Sequence, residues 1–145
     1  VVDSNLSIAP QARILGDGRV LLFCARDDAA ARARLAEAAA ARGCALEIVA
    51  LPGPDGRVDL KAMVAELGRR ALNEIHVEAG YTLNGALLRE RCVNELLLYF
   101  AASIIGSGQG MFNLPEIDTL EARQRLSIHR VGQVGEDLRV IARIT

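Results

Sequence analysis

The chain has 145 residues, 51% of them apolar and 24% charged, with a formal net charge of −1. This length and apolar content predict one domain with its own core, and exclude a disordered chain, a collagen-like repeat or a low-complexity linker. The lack of a basic excess and the 3% aromatic content argue against a nucleic-acid partner, and no apolar run reaches the roughly 18 residues of a membrane span.

Val1-Val2-Asp3-Ser4 reads as a strand entered with no lead-in, so further residues are expected upstream. Gly16-Asp17-Gly18 is a turn signal, and Val20–Cys24 follows as a buried strand. A helix is expected from about Asp28 to Arg42, capped by Asp27 or Asp28 and stopped by Gly43. Ala45–Leu51 is a second strand. Pro52–Gly56 is a loop, and Asp59 caps a helix to about Arg70 with Leu60, Met63, Val64 and Leu67 on one face.

Glu74–Glu78 is predicted as a short strand, Gly80 to about Glu90 as a turn and helix, and Leu96–Ala102 as a long apolar strand. That last strand is either central in the sheet or covered by a partner subunit. Ile104–Pro115 is a Gly-rich loop. Strands over about Leu126–Val131 and Leu138–Ile144 close the chain as an antiparallel hairpin across Gly132–Asp137. Alternating strands and helices predict βαβ units on a mixed, mostly parallel sheet with a C-terminal antiparallel hairpin.

Ligands of open α/β sheets bind outside the carboxyl ends of the strands. The segment that fits is Ile75 to Ala86: a strand ending in Glu78, then Gly80, then a helix start with Thr82. The first N–H groups of a helix lack intrahelical partners and favour anions, so a nucleotide pyrophosphate suits this turn; an ordinary helix cap is the competing reading. Glycine at position 80 permits a tight turn or a close backbone approach. Gly106-Ser107-Gly108-Gln109-Gly110 has phosphate-loop spacing but opens no helix, so it reads as a loop. His76 and Glu78 share a strand face, either as an acid–base pair or, more simply, with His76 structural. No role falls to His129. Asp3, Ser4 and His76 make no triad, because their spacing does not support one and no G-x-S-x-G elbow exists. Cys24, Cys44 and Cys92 are an odd number without a CxxC pair, which fits a reducing cytoplasm and neither a disulfide framework nor a zinc site.

Val77–Leu88, VEAGYTLNGALL, resembles the "VEGG-x-TL-x-GALL" stretch of the riboflavin-biosynthesis reductases, the C-terminal domain of the bifunctional deaminase–reductase RibD. Val93–Tyr99 is similar to that family's "VDELLLY", Ile104–Gly106 to its "LLG", Val131–Leu138 to its "VxxxGxDL", and Val1–Ser4 with Leu6 to its "VVLDSxL" strand. These anchors follow the family order over nearly the whole chain.

The resemblance implies a dihydrofolate-reductase-like three-layer α/β/α fold, a cytoplasmic homodimer and NADPH as cofactor. It implies reduction of 5-amino-6-(5-phosphoribosylamino)uracil to the ribitylamino product. The hydride goes from nicotinamide C4 to C1 of the ring-opened ribose imine, with neither a nucleophile nor a metal required. Asp3 is then the catalytic carboxylate at the nicotinamide–substrate junction. Glu78 and Ser7 contact substrate, and Gly80, Tyr81, Thr82, Leu83, Asn84, Gly85 and Ala86 wrap the cofactor. The alternatives are a related reductase acting on another pteridine- or pyrimidine-like substrate, or a non-catalytic nucleotide-binding or dimerisation module.

The sequence also departs from the family. Tyr81 replaces a small residue or Pro, a Lys and a Pro are missing from Ala101–Gly106, and Arg26 stands where hydroxyl residues are usual. Arg26 is one candidate for a 2′-phosphate contact. Family domains begin with a further strand, helix and strand, so the resemblance implies a reductase domain lacking those elements, and such a fragment can hold the fold without activity.

Overall fold

The computed structural model describes residues 1–145. The chain divides into two compact units, Val1–Glu74 and Ile75–Thr145.

In the first unit, β1 (Arg19–Cys24) pairs in parallel with β2 (Ala45–Ala50), with Val20 opposite Leu46 and Leu22 opposite Ile48. Parallel neighbours need a crossover, and α1 (Ala29–Ala40) supplies it. Asp28 caps α1 by accepting from the Ala31 amide at 2.7 Å. Gly43, at φ +75, turns the chain out of the helix, and the Cys44 amide closes the end on the Ala39 carbonyl at 2.9 Å. Alanine fills most of α1, so its apolar stripe is narrow. Leu35 and Ala39 carry it into a core with Leu6, Leu15, Leu22, Cys24 and Cys44.

The helix α2 (Leu60–Arg69) is capped by Asp59 and buries Leu60 and Met63, while Val64 stays exposed. No glycine follows its C-cap Arg70. Ala71 takes the left-handed conformation instead (φ +60), and the Leu72 amide reaches back to the Leu67 carbonyl at 3.2 Å.

The Arg70 guanidinium grips the Glu47 carboxylate through two nitrogens and donates to Glu66 at 2.8 Å. The charge-assisted bonds from Arg70 hold the Glu47 carboxyl below its ordinary value of 4.5. A lowered folded-state value contributes stability above the ordinary value, and that stability is lost as pH falls through the lowered one. Glu47→Gln is therefore expected to melt slightly below the parent at pH 7. Thermal melts from pH 7 to pH 2 should show the gap closing only below the ordinary Glu range. A gap independent of pH would mean the pair does not act through charge.

In the second unit, α3 (Tyr81–Arg89) precedes a three-stranded antiparallel sheet. β3 (Glu95–Phe100) and β4 (Leu126–Val134) flank β5 (Asp137–Ile144). The β4–β5 ladder runs to Val134 opposite Asp137, so the hairpin loop is Gly135-Glu136, tighter than the predicted Gly132–Asp137 connection. Gly135, at φ +63, supplies the conformation that a two-residue loop needs at its first position. The register shifts between Ile128 and Arg130, which leaves His129 in a bulge. One face is almost wholly apolar: Leu96, Leu98 and Phe100 oppose Ala142, Val140 and Leu138, and Ile128 and Val131 oppose Ala142 and Val140.

The mix of parallel and antiparallel pairing follows the sequence reading, but its balance differs. Only β1 and β2 pair in parallel, and β3 is an outer strand rather than a central one. Glu74–Glu78, predicted as a strand, has no strand partner, and Ile75 and Val77 remain exposed. Alternation alone does not make a strand where no hydrogen-bonded neighbour is present. Val1–Ser4 is reduced to a parallel bridge between Val2 and Phe23. No helix is long and apolar enough to cross a membrane.

Candidate functional site

The predicted site residues fall into two clusters, one in each unit. In the first unit, Asp3 and Ser7 are brought together. The Asp3 carboxylate accepts from the Asn5 amide at 3.2 Å, the Ser7 hydroxyl at 3.0 Å and the Ile8 amide at 2.8 Å. It closes the loop 3–8 around itself, much as an Asx turn does. Ser4 ties this loop to its surroundings. Its carbonyl accepts from the Ala25 and Arg26 amides at 3.1 and 2.9 Å, and its hydroxyl accepts from the Val58 amide at 3.3 Å.

Leu6 sits inside the loop at φ +54 with its side chain 1% exposed. A non-glycine residue there costs about 1–2 kcal/mol, and it persists because burial and hydrogen bonds fix it. One carboxylate and one hydroxyl are thus presented beside the carboxyl end of β1.

The second cluster begins at Glu78, whose side chain is exposed and 3.5 Å from His76 Nε2. Gly80 is the N-cap of α3, and no side chain caps this helix. Both other α-helices begin on an Asp carboxylate. The Asn84 amide already takes the Gly80 carbonyl at 3.0 Å, which leaves the N–H groups of Tyr81, Thr82 and Leu83 as the orphan donors of the first turn. Thr82 is exposed and does not cap. Gly80 is thus the whole of the cap, and the first turn keeps donors suited to an anion.

The two glycines of this segment do different things. Gly80 lies at φ −88, ψ 176, open to any residue, and an added Cβ would meet nothing within 4 Å. The tight-turn reason for glycine at position 80 is not found. What remains is open space beside the first turn. Gly85 faces the Asn113 backbone, where a Cβ would come within 2.2 Å of the carbonyl oxygen. Gly85 is thus needed for helix packing, and its neighbours show the same contact. The Asn113 amide donates to the Tyr81 carbonyl at 3.0 Å, and Arg89 donates to the Asn113 carbonyl. Asn84 Nδ2 donates to Ala79 O at 3.1 Å and Met111 O at 3.4 Å.

Sequence reasoning did not single out Asn113, Ser4 or Arg89 for these contacts. The only signal was Gly85, a glycine inside a helical pattern. Arg26 is exposed, and Gly106–Gly110 forms neither helix nor strand. Cys24 is fully buried in the core, and that burial pushes its thiol above its ordinary value.

Residues 1–140 match the family model of the RibD C-terminal domain. Over 89 residues, 61% of this chain, the sequence is 36% identical to the riboflavin biosynthesis protein RibD of Escherichia coli (strain K12), of which the match covers 24%. Over 144 residues it is 29% identical to the 2,5-diamino-6-ribosylamino-4(3H)-pyrimidinone 5′-phosphate reductase of Archaeoglobus fulgidus, covering 99% of this chain and 61% of that protein. Among solved structures, Acinetobacter baumannii RibD is similar with a TM-score of 0.62 at 21% identity, over 86% of this chain and 37% of that one. A pyrimidine reductase-like protein from Corynebacterium diphtheriae gives 0.61 at 19%, over 86% of this chain and 50% of that one. The match thus spans about a quarter of the Escherichia coli protein, and the likeness to the solved structures is one of fold. With the family model covering nearly the whole length, the chain belongs to the RibD C-terminal domain family.

Proposed function

We propose that this chain is the reductase part of a riboflavin-pathway enzyme. It reduces the ribosylamino group of 5-amino-6-(5-phosphoribosylamino)uracil to ribitylamino, with NADPH as cofactor, as a homodimer in the cytoplasm. The observation that carries this reading is the uncapped first turn of α3, directly after Glu78, in a chain of this family. The nicotinamide cofactor supplies the hydride; the chain supplies binding, orientation and charge.

In this reading Gly80 to Ala86 hold the pyrophosphate. The free amides of Tyr81, Thr82 and Leu83 face its charge, and the open space at Gly80 lets it approach. Glu78, exposed just before the helix, takes a substrate hydroxyl or amine. Asp3 stabilises the cation that develops as the imine is protonated, and Ser7, already hydrogen-bonded to Asp3, lies against the substrate. The apolar face of the β3–β5–β4 sheet, with Ile128 67% and Val131 53% exposed, is the kind of surface a second subunit covers.

Thermal shift tests the cofactor assignment. At 100 times Kd, NADPH is expected to stabilise the chain by about 2.7 kcal/mol, roughly 5–10 °C in Tm. Gly80→Val is expected to fold, because its side chain has room, and to lose that shift. A shift that survives in Gly80→Val would move the cofactor off this turn.

A second substrate is favoured by the Archaeoglobus fulgidus relative, which aligns over 99% of the chain and is named for a diaminopyrimidinone phosphate. Turnover of the aminouracil and the diaminopyrimidinone, side by side, decides between them.

A further inference from the structure

We propose that Arg34 is a positioning residue for this reaction, anchoring the loop 3–8 from α1 so that Asp3 and Ser7 are presented in one fixed geometry. The proposal rests on the reductase reading and adds to it a residue 28 positions away in sequence from the loop carbonyl it grips.

Arg34 Nη2 donates to the Leu6 carbonyl at 3.0 Å. Leu6 is the hinge of the loop, the residue at φ +54 with its side chain in the core. Its amide donates to the Asp3 carbonyl at 3.3 Å, while the Asp3 carboxylate receives the Asn5 and Ile8 amides and the Ser7 hydroxyl. The loop therefore closes inwardly on Asp3, and Arg34 ties its middle to α1. A planar guanidinium reaching a single carbonyl is a directional clamp, and releasing it frees Leu6 to leave its left-handed conformation. The three neighbouring arginines of this region are not equivalent. Arg32 binds Asp27 and the Ile48 carbonyl, Arg42 binds the Ala12 carbonyl at 3.1 Å and Pro10 at 3.4 Å, and neither touches residues 3–8. Arg26 meets the loop only through its own amide, on Ser4.

The test compares Arg34→Met, Arg34→Lys and Arg42→Met. Backbone amide exchange is followed by NMR, and kcat and KM are measured with the aminouracil phosphate and NADPH. Arg34→Met is expected to raise exchange at Asn5 and Ile8 by about tenfold or more, while Leu22 in β1 stays protected. It should lower kcat by about tenfold or more, with the Kd for NADPH unchanged. Arg34→Lys, which keeps a donor, should recover most of both. Arg42→Met should lower Tm without moving kcat.

Unchanged exchange at Asn5 and Ile8 in Arg34→Met would overturn the anchoring. Equal loss of protection across β1, or an equal fall in kcat for Arg42→Met, would reduce Arg34 to a general stabiliser and overturn its positioning role. A parent protein that reduces neither pyrimidine when tested with the residues that precede this chain in its gene, with exchange still changed locally in Arg34→Met, would overturn the reductase reading and leave the anchoring of the loop standing.

Discussion

Gly85→Ala is expected to destabilise the protein by about 1–3 kcal/mol, the range found when a group is forced into a filled space. In an open helix the same change would help, since alanine is the better helix former by about 1 kcal/mol. The sign reverses because the new Cβ would sit 2.2 Å from the Asn113 carbonyl oxygen and 2.6 Å from its amide nitrogen, and both are backbone atoms. Relief requires moving the 111–114 segment, which breaks the Asn113–Tyr81 hydrogen bond and displaces the first turn of α3. NADPH affinity should fall with stability. Gly68→Ala is the internal control. It too lies inside a helix, but its Cβ would meet nothing within 4 Å, so it should gain about 0.5–1 kcal/mol. Urea unfolding of the two variants should move in opposite directions. Two shifts of the same sign would show that α3 does not pack on Asn113 as described.

The second large effect is expected at Asp3. Asp3→Ala removes the acceptor for two amides and one hydroxyl, which should cost about 1.5–3 kcal/mol. If the carboxylate also stabilises developing positive charge, reductase kcat should fall by about 10²–10³. Ser7→Ala separates these effects, because it deletes one of the three bonds and leaves the charge. It should cost under about 1 kcal/mol and at most about tenfold in activity. If Asp3→Ala loses stability but keeps kcat, Asp3 is a loop staple alone, and the charge at the reacting centre comes from elsewhere.

Much of the fold was legible where one short-range signal decided the outcome. Asp28 and Asp59 mark the starts of α1 and α2, Gly43 ends α1, and the closing hairpin follows from two apolar runs around a Gly-containing turn. The ends of α2 and α3 fall where expected, at the C-caps Arg70 and Glu90, although Ala71 and Arg91 beyond them take left-handed conformations that sequence assigns to glycine. Glu74–Glu78 misled: its alternation is strand-like, yet pairing is a property of the neighbour and not of the segment.

The site was legible in outline through the Val77–Leu88 motif, which located the start of α3, while Glu78 lies just before it and outside any strand. The reasons for its glycines were not. The contact at Gly85 is with Asn113, about 28 positions away, and no local pattern reports it. The arginine contacts to the loop carbonyls are hidden in the same way. Read along the chain, α1 shows only mixed charges on a solvated face.

The position of β3 at the rim of its sheet sets how this protein behaves when concentrated. Glu95–Ala102 reads ELLLYFAA, without proline, and its outer edge has no strand beside it. Such a segment is a template for cross-β growth, and natural edges are defended by charge. Here the defence is Glu95, paired with Arg143 at 3.2 Å at the strand's first position. Glu95 thus stands at the mouth of an uncharged run that extends from Leu96 to Pro115. A neutralising substitution at Glu95 would remove that charge from the open edge.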